Sequence, residues 1–190
     1  LLGSAYYAED PIYPLEKTAA AINIDAVRIW GATRDYTIIG YGNSELDDYA
    51  VRANSLIQRE VKPNPEPEKG SFFRSDHFPL AKMGVPAHYG GAGHDNIEHG
   101  EEWSRAQSDA WIANNYHQVT DEYSPDWDLG GAMQDISVWF RIGLELAYSN
   151  AFPEWNEGTE IKAVRSDDFA AVDSAADSTV AAGKSTDGGV

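Results

Sequence analysis

The chain has 190 residues, a formal charge of −17 and 42% hydrophobic residues, with six Trp, ten Tyr and six Phe. That much apolar material excludes wholesale disorder, and the acidic balance argues against nucleic acid or an anionic membrane as partner. There is no cysteine, so disulfides and thiolate chemistry are excluded and a zinc ion could be held only by His, Asp and Glu.

The opening Leu1-Leu2-Gly3-Ser4 is neither a Met start nor a signal peptide. The chain is therefore expected to begin inside a longer protein. Residues 1–12 read as a helical or loop lead-in. Ala20–Val27 is an apolar run interrupted by Asn23 and Asp25, with the composition of a buried strand. Tyr36–Tyr41 is a second strand candidate. Ser44 is placed as a helix N-cap ahead of Glu45, Asp47 and Asp48. Apolar residues at 46, 49, 50, 53, 56 and 57 then predict a helix from 45 to about 60.

The prolines between Lys62 and Gly70 predict a loop. Val85–Gly90 is a third strand candidate, and a polar loop is expected from there to about residue 104. Residues 131–148 give the strongest helix, with Met133, Ile136, Trp139, Phe140, Gly143, Leu144 and Ala147 on one stripe. No apolar run approaches the ~20 residues needed to cross a bilayer. Residues 166–190 read as an acidic Ala/Ser/Asp/Gly-rich tail. Strands alternating with helices predict an α/β layer architecture, in which ligands gather at the C-terminal ends of strands.

Four groups of residues could carry chemistry. Asp25 closes an apolar run, where a carboxylate is costly unless hydrogen-bonded, paired or bound to metal; it reads as a metal ligand or as a turn residue. His117, followed by Thr120-Asp121-Glu122, reads as a metal ligand or as a loop histidine. Arg74, Ser75, Asp76 and His77 place a cation, a hydroxyl, a carboxylate and an imidazole in one loop. The plain alternative there is an ion pair between Arg74 and Asp76. No G-x-S-x-G elbow supports a Ser-His-Asp hydrolase. His94, Glu98, His99, Glu101 and Glu102 lack H-E-x-x-H spacing and read as an exposed acidic loop. Neighbouring carboxylates at 101/102 and 121/122 do not by themselves give the facing pair that glycoside hydrolysis needs.

Several segments, in this order, resemble the co-catalytic di-zinc exopeptidases, metallopeptidase family twenty-eight, which includes bacterial aminopeptidases and glutamate carboxypeptidase. They are Leu1–Tyr7, Ile22-Asn23-Ile24-Asp25, Gly70–Pro79 with Gly84-Val85-Pro86, Tyr116–Glu122 and the terminal amphipathic helix. The resemblance covers about residues 1–165. It implies a partial three-layer fold with a mixed sheet, helices on both faces and the N-terminal half absent. It implies that Asp25 binds one zinc and His117 the other, and that Arg74, Ser75, Asp76 and His77 border the substrate pocket. The remaining ligands and the general-base Glu would lie upstream of Leu1. Ala26 and Val119 depart from the family's frequent Met and Pro.

The parent is then expected to be a zinc-dependent exopeptidase of aminopeptidase type, secreted or periplasmic, acting on a peptide or similar small substrate. This chain alone would be a weak zinc binder. Alternatively it would act as a different hydrolase, an esterase or glycosidase, or as a self-associating module. Half a sheet leaves an open edge, so a homo-oligomer or association with the missing half is expected.

Overall fold

A computed structural model of the chain describes residues 1–150, 152–159 and 161. The tail expected at 166–190 lies outside the described residues. The architecture is α/β, with a mixed four-stranded sheet and helices, as the sequence predicts. The helices are α1 (Leu2–Glu9), α2 (Leu46–Ser55), α3 (His77–Lys82), α4 (Gly100–Asn114) and α5 (Gly130–Tyr148). The strands are β1 (Ala21–Asn23), β2 (Asp35–Ile38), β3 (Glu60–Pro63) and β4 (Ala87–Ala92), in the order β1-β4-β2-β3. β1 runs parallel to β4, β4 antiparallel to β2, and β2 parallel to β3. Among the described residues no helix is long and apolar enough to cross a membrane.

Strand alternation divides the apolar residues between two faces. Ala20, Ile22, Tyr36 and Ile38 pack with α2 and α5, around Leu46, Ala50, Ala53, Val138 and Ile142. Ala21 and Ala87 turn the other way and pack with Ala81 of α3, Phe72, Phe78 and Trp155. α1 lies against α3.

Several expected boundaries move. The strand expected over Ala20–Val27 pairs only through Asn23, so Asp25 stands two residues beyond its end. Ser44 is buried and bridges to Trp155, and the N-cap position of α2 is Glu45. The loop expected from Lys62 begins instead as β3, an edge strand ending on Pro63, where a missing donor is tolerated. The polar loop expected to residue 104 ends in α4, whose first turn carries Glu101 and Glu102. Gly90 lies within β4; a Cβ there would stand 2.7 Å from the Tyr36 ring, so only glycine lets that ring cross the strand.

The largest correction concerns α5. Its buried face is Gly131, Ala132, Asp135, Val138, Trp139 and Ile142. Of the expected stripe only Trp139 is buried, while Met133, Ile136, Phe140 and Leu144 are exposed. The helix has two apolar stripes, and a buried ion pair chooses between them. Arg59 donates to Asp135 at 2.9 Å, and both side chains are 1% exposed. Arg59 also donates to the Thr33 hydroxyl at 2.9 Å and the Asp35 carbonyl at 3.0 Å. The other Asp135 oxygen accepts from the Ala92 amide at 3.0 Å. Burial pushes the Asp135 carboxyl above its ordinary range, and Arg59 opposes that shift.

Breaking a buried pair leaves one charge uncompensated, at a cost of about 3–5 kcal/mol, whereas an apolar replacement of both partners costs far less. Asp135→Ala is therefore expected to lower stability by about that amount in urea unfolding. Arg59→Met combined with Asp135→Leu is expected to lose less than the single variant.

Candidate active site

Of the residues singled out in the sequence, Ser75 makes direct contact with Asp25. β1 ends on Asn23, and the chain then leaves the sheet and carries Asp25 into the open. The parallel register pairs Asn23 with Tyr89 of β4. The loop before α3 brings Ser75 to the same place. Asn23 Nδ2 donates to Ser75 Oγ at 2.9 Å, and Ser75 Oγ donates to Asp25 Oδ2 at 2.9 Å. Tyr89 Oη donates to the same Asp25 oxygen at 3.0 Å. One carboxylate oxygen is thus held by two hydroxyl donors. Burial pushes the Tyr89 phenol up to about 12, and Asp25 adds to this.

The Tyr116 and His117 rings stack with centroids 3.8 Å apart. His117 is exposed and has φ 58°, a left-handed conformation uncommon outside glycine. The turn is held by Tyr116 N to Trp111 O at 3.1 Å, Gln118 N to Asn115 O at 2.9 Å and Asn115 Nδ2 to Thr120 O at 2.8 Å. Such conformations cost about 1–3 kcal/mol, persist only where the surroundings enforce them, and cluster at functional sites.

The 74–77 loop divides its side chains. Ser75 and His77 turn inward, at 6% and 1% exposure, and Arg74 and Asp76 turn outward. The ion pair considered between Arg74 and Asp76 does not form. Asp76 instead accepts from Ser4 Oγ of α1 at 2.7 Å. His77 packs edge-on against Phe72, with centroids 4.7 Å apart, and beside Tyr89 at 5.0 Å. Neither of its ring nitrogens has a hydrogen-bond partner among the described residues. Burial lowers its pKa to about 4, against the opposing pull of Asp25 and Asp76.

His94, Glu98, His99, Glu101 and Glu102 do not gather into a site. Glu101 pairs with Arg105 at 2.7 Å along α4, and His99 stacks on Trp103. Tyr89 had no distinguishing signal in the sequence; it sat inside a strand candidate, and only the β1–β4 register shows that it reaches Asp25.

Two donors of metal-ligand type, Asp25 and His117, are thus present. Among the described residues there is no group of three or more His, Cys, Asp or Glu able to hold a metal ion. The donors agree in kind with a zinc site but not in number, since a structural zinc takes four ligands and a catalytic one three from protein.

Residues 1–140 match the sequence model described as peptidase family M28. No curated protein and no solved structure matches the chain.

Two buried histidines predict a pH dependence. His88, paired with Tyr36 Oη at 2.8 Å, is also lowered to about 4 by burial. Below pH ~6.5 the unfolded chain takes up protons that these folded imidazoles refuse. Stability present above that pH is then lost as the pH falls toward 4, by up to about 3 kcal/mol per histidine. Urea midpoints measured from pH 7 to 4 are expected to fall, and His77→Phe is expected to flatten part of that slope.

Proposed function

This chain belongs to peptidase family M28, and from that membership we propose that it forms the Asp25–His117 side of a zinc-dependent exopeptidase of aminopeptidase type. Family membership makes the parent a hydrolase of the peptidase class. The observation that carries the finer reading is the Asp25 carboxylate. Ser75 and Tyr89 hold one of its oxygens and leave the other to accept a ligand. Hydroxyls that orient a liganding carboxylate in this way tune metal affinity.

In this reading Asp25 and His117 are ligands of different zincs. Zinc ions held there would supply Lewis acidity and a more acidic bound water. One protein donor per zinc cannot hold the ions against water. The other ligands and the general base are therefore assigned to polypeptide outside the described residues. Arg74, exposed beside the Ser75 contact, is assigned to the substrate's approach. Ser75 and His77 form the inner wall of that approach, and Asp76 anchors its loop to α1.

An open sheet edge supports a partner. β1 is the terminal strand of the sheet, and among the described residues its outer side is unpaired. Ile24 and Val27 just beyond it are exposed. Such an edge recruits another strand. We assign it to the polypeptide that completes the site, with self-association as the outcome when that polypeptide is withheld.

Metal content and hydrolysis of an aminoacyl-nitroanilide test this reading. The chain alone is expected to bind zinc weakly and to leave the substrate intact. The chain completed by its remaining ligands is expected to cleave it, to stop on chelation and to spare the N-acetylated substrate. In that complete protein, Asp25→Asn and His117→Ala should abolish cleavage, and Ser75→Ala should weaken zinc binding by about 10–100-fold. Tight binding of two zincs by the chain alone, with cleavage, would overturn the divided ligand set. Ester or glycoside hydrolysis surviving exhaustive chelation would overturn the metal reading.

A further inference from the structure

A cleft of about 410 Å³ shares no residue with the Asp25 group. Four segments meet there: the strap 29–32 after β1, the turn 96–99, the first turns of α4, and the loop 126–130 leading into α5. Trp30 and Trp103 supply aromatic walls, and Glu98, Asp126 and Asp128 supply carboxylates. No Lys or Arg lines it.

The parts are fixed in place. Trp30 Nε1 donates to Ser104 Oγ at 3.3 Å, and the Trp30 carbonyl accepts from Asn96 Nδ2 at 2.8 Å. Trp103 carries the His99 ring against it at 4.2 Å. Asp128 Oδ1 accepts from the Gly130 amide at 2.8 Å. A Cβ on Gly31, which has φ +94°, would stand 3.0 Å from Asp128 Oδ2, so a glycine at this point lets the strap close on the loop.

The carboxylates are less committed. Asp126 makes no side-chain hydrogen bond or ion pair with a described residue, and Glu98 has only His99, at 3.8 Å. Two guanidiniums stand nearby and both are engaged: Arg28 lies over the Trp30 ring at 5.0 Å and spends its Nη2 on the Ala92 and Gly93 carbonyls, and Arg34 donates to the Asn96 and Ile97 carbonyls at 3.1 and 2.7 Å and pairs with Asp95 at 3.0 Å.

We propose that this cleft binds an organic cation, a guanidinium or alkylammonium group. Indole faces attract such a cation through their quadrupole, and the uncompensated carboxylates add Coulombic attraction. An anion would meet three carboxylates and no Lys or Arg in the cleft lining. A divalent metal would need converging ligands, and the described residues contain no such group. A basic side chain of a peptide and a free amine share this chemistry, and an arginine derivative compared with a simple alkylammonium separates them. The proposal stands apart from the peptidase reading, since it uses none of the same residues and is read by binding alone.

Calorimetric titration of the full chain with Nα-acetyl-arginine amide, its neutral citrulline counterpart and butylammonium tests the proposal. The arginine probe is expected to saturate with a Kd on the order of millimolar, and the citrulline probe to bind at least about fivefold more weakly. Trp103→Ala, and Glu98→Gln with Asp126→Asn, should each weaken the arginine probe about three- to tenfold. The carboxamide variants are expected to keep the thermal midpoint of the parent chain, which separates lost binding from lost fold. Comparable binding of butylammonium assigns the site to the cation itself, and binding of the arginine probe alone assigns it to a peptide side chain. Equal affinity for arginine and citrulline probes, indifference to the carboxamide changes, or absence of saturation would overturn the proposal.

Discussion

The buried ion pair between Arg59 and Asp135 sets the arrangement of the other elements. Two charges removed from water must meet each other and find partners for most of their remaining hydrogen-bonding atoms, and among the described residues only the Arg59 Nε of this pair lacks one. Here that requirement joins four parts of the chain. Arg59 leads into β3 and binds the Thr33 hydroxyl and the Asp35 carbonyl at β2. Asp135 stands on α5 and accepts from Ala92 at the end of β4. The pair therefore fixes which face of α5 meets the sheet and how β2, β3 and β4 lie beside it. Trp139, one turn along α5, adds hydrogen bonds to Tyr36 Oη and to the Gly90 carbonyl, both at 3.1 Å.

The candidate active site inherits its geometry from that sheet. Once β4 is seated against β2, β1 pairs on its other side and sets Asn23 opposite Tyr89. Asp25 then meets donors from two other segments, Tyr89 and Ser75, on one oxygen. A carboxylate positioned before any ligand arrives loses less freedom on binding one. His117 has a left-handed backbone, φ 58°, in a turn held by hydrogen bonds.

The cleft between Trp30 and Trp103 rests on different elements, the strap after β1 and the start of α4. Its aromatic walls and unneutralised carboxylates occur in a chain of net charge −17. Overall acidity by itself says nothing of a site. What distinguishes the cleft is that its acids sit beside indole rings and without Lys or Arg.

Strand and helix periodicity alone marked β2, β4, α2 and α5, because each has a run of apolar residues at the right spacing. Asp25, His117 and the Ser75 loop stood out by residue type and order, which is the part of a site that chemistry imposes locally. Sequence left undetermined which stripe of α5 is buried. Met133, Ile136, Phe140 and Leu144 are as apolar as the face that won, and a carboxylate at 135 argues against burial until Arg59 is opposite it. It also left out β3, whose four residues are too few for a pattern, and Tyr89, whose role exists only through strand register. Periodicity and residue type are local properties. The pairing of a buried charge, the register of neighbouring strands and the walls of a cleft are relations between distant residues, and only the tertiary structure decided them.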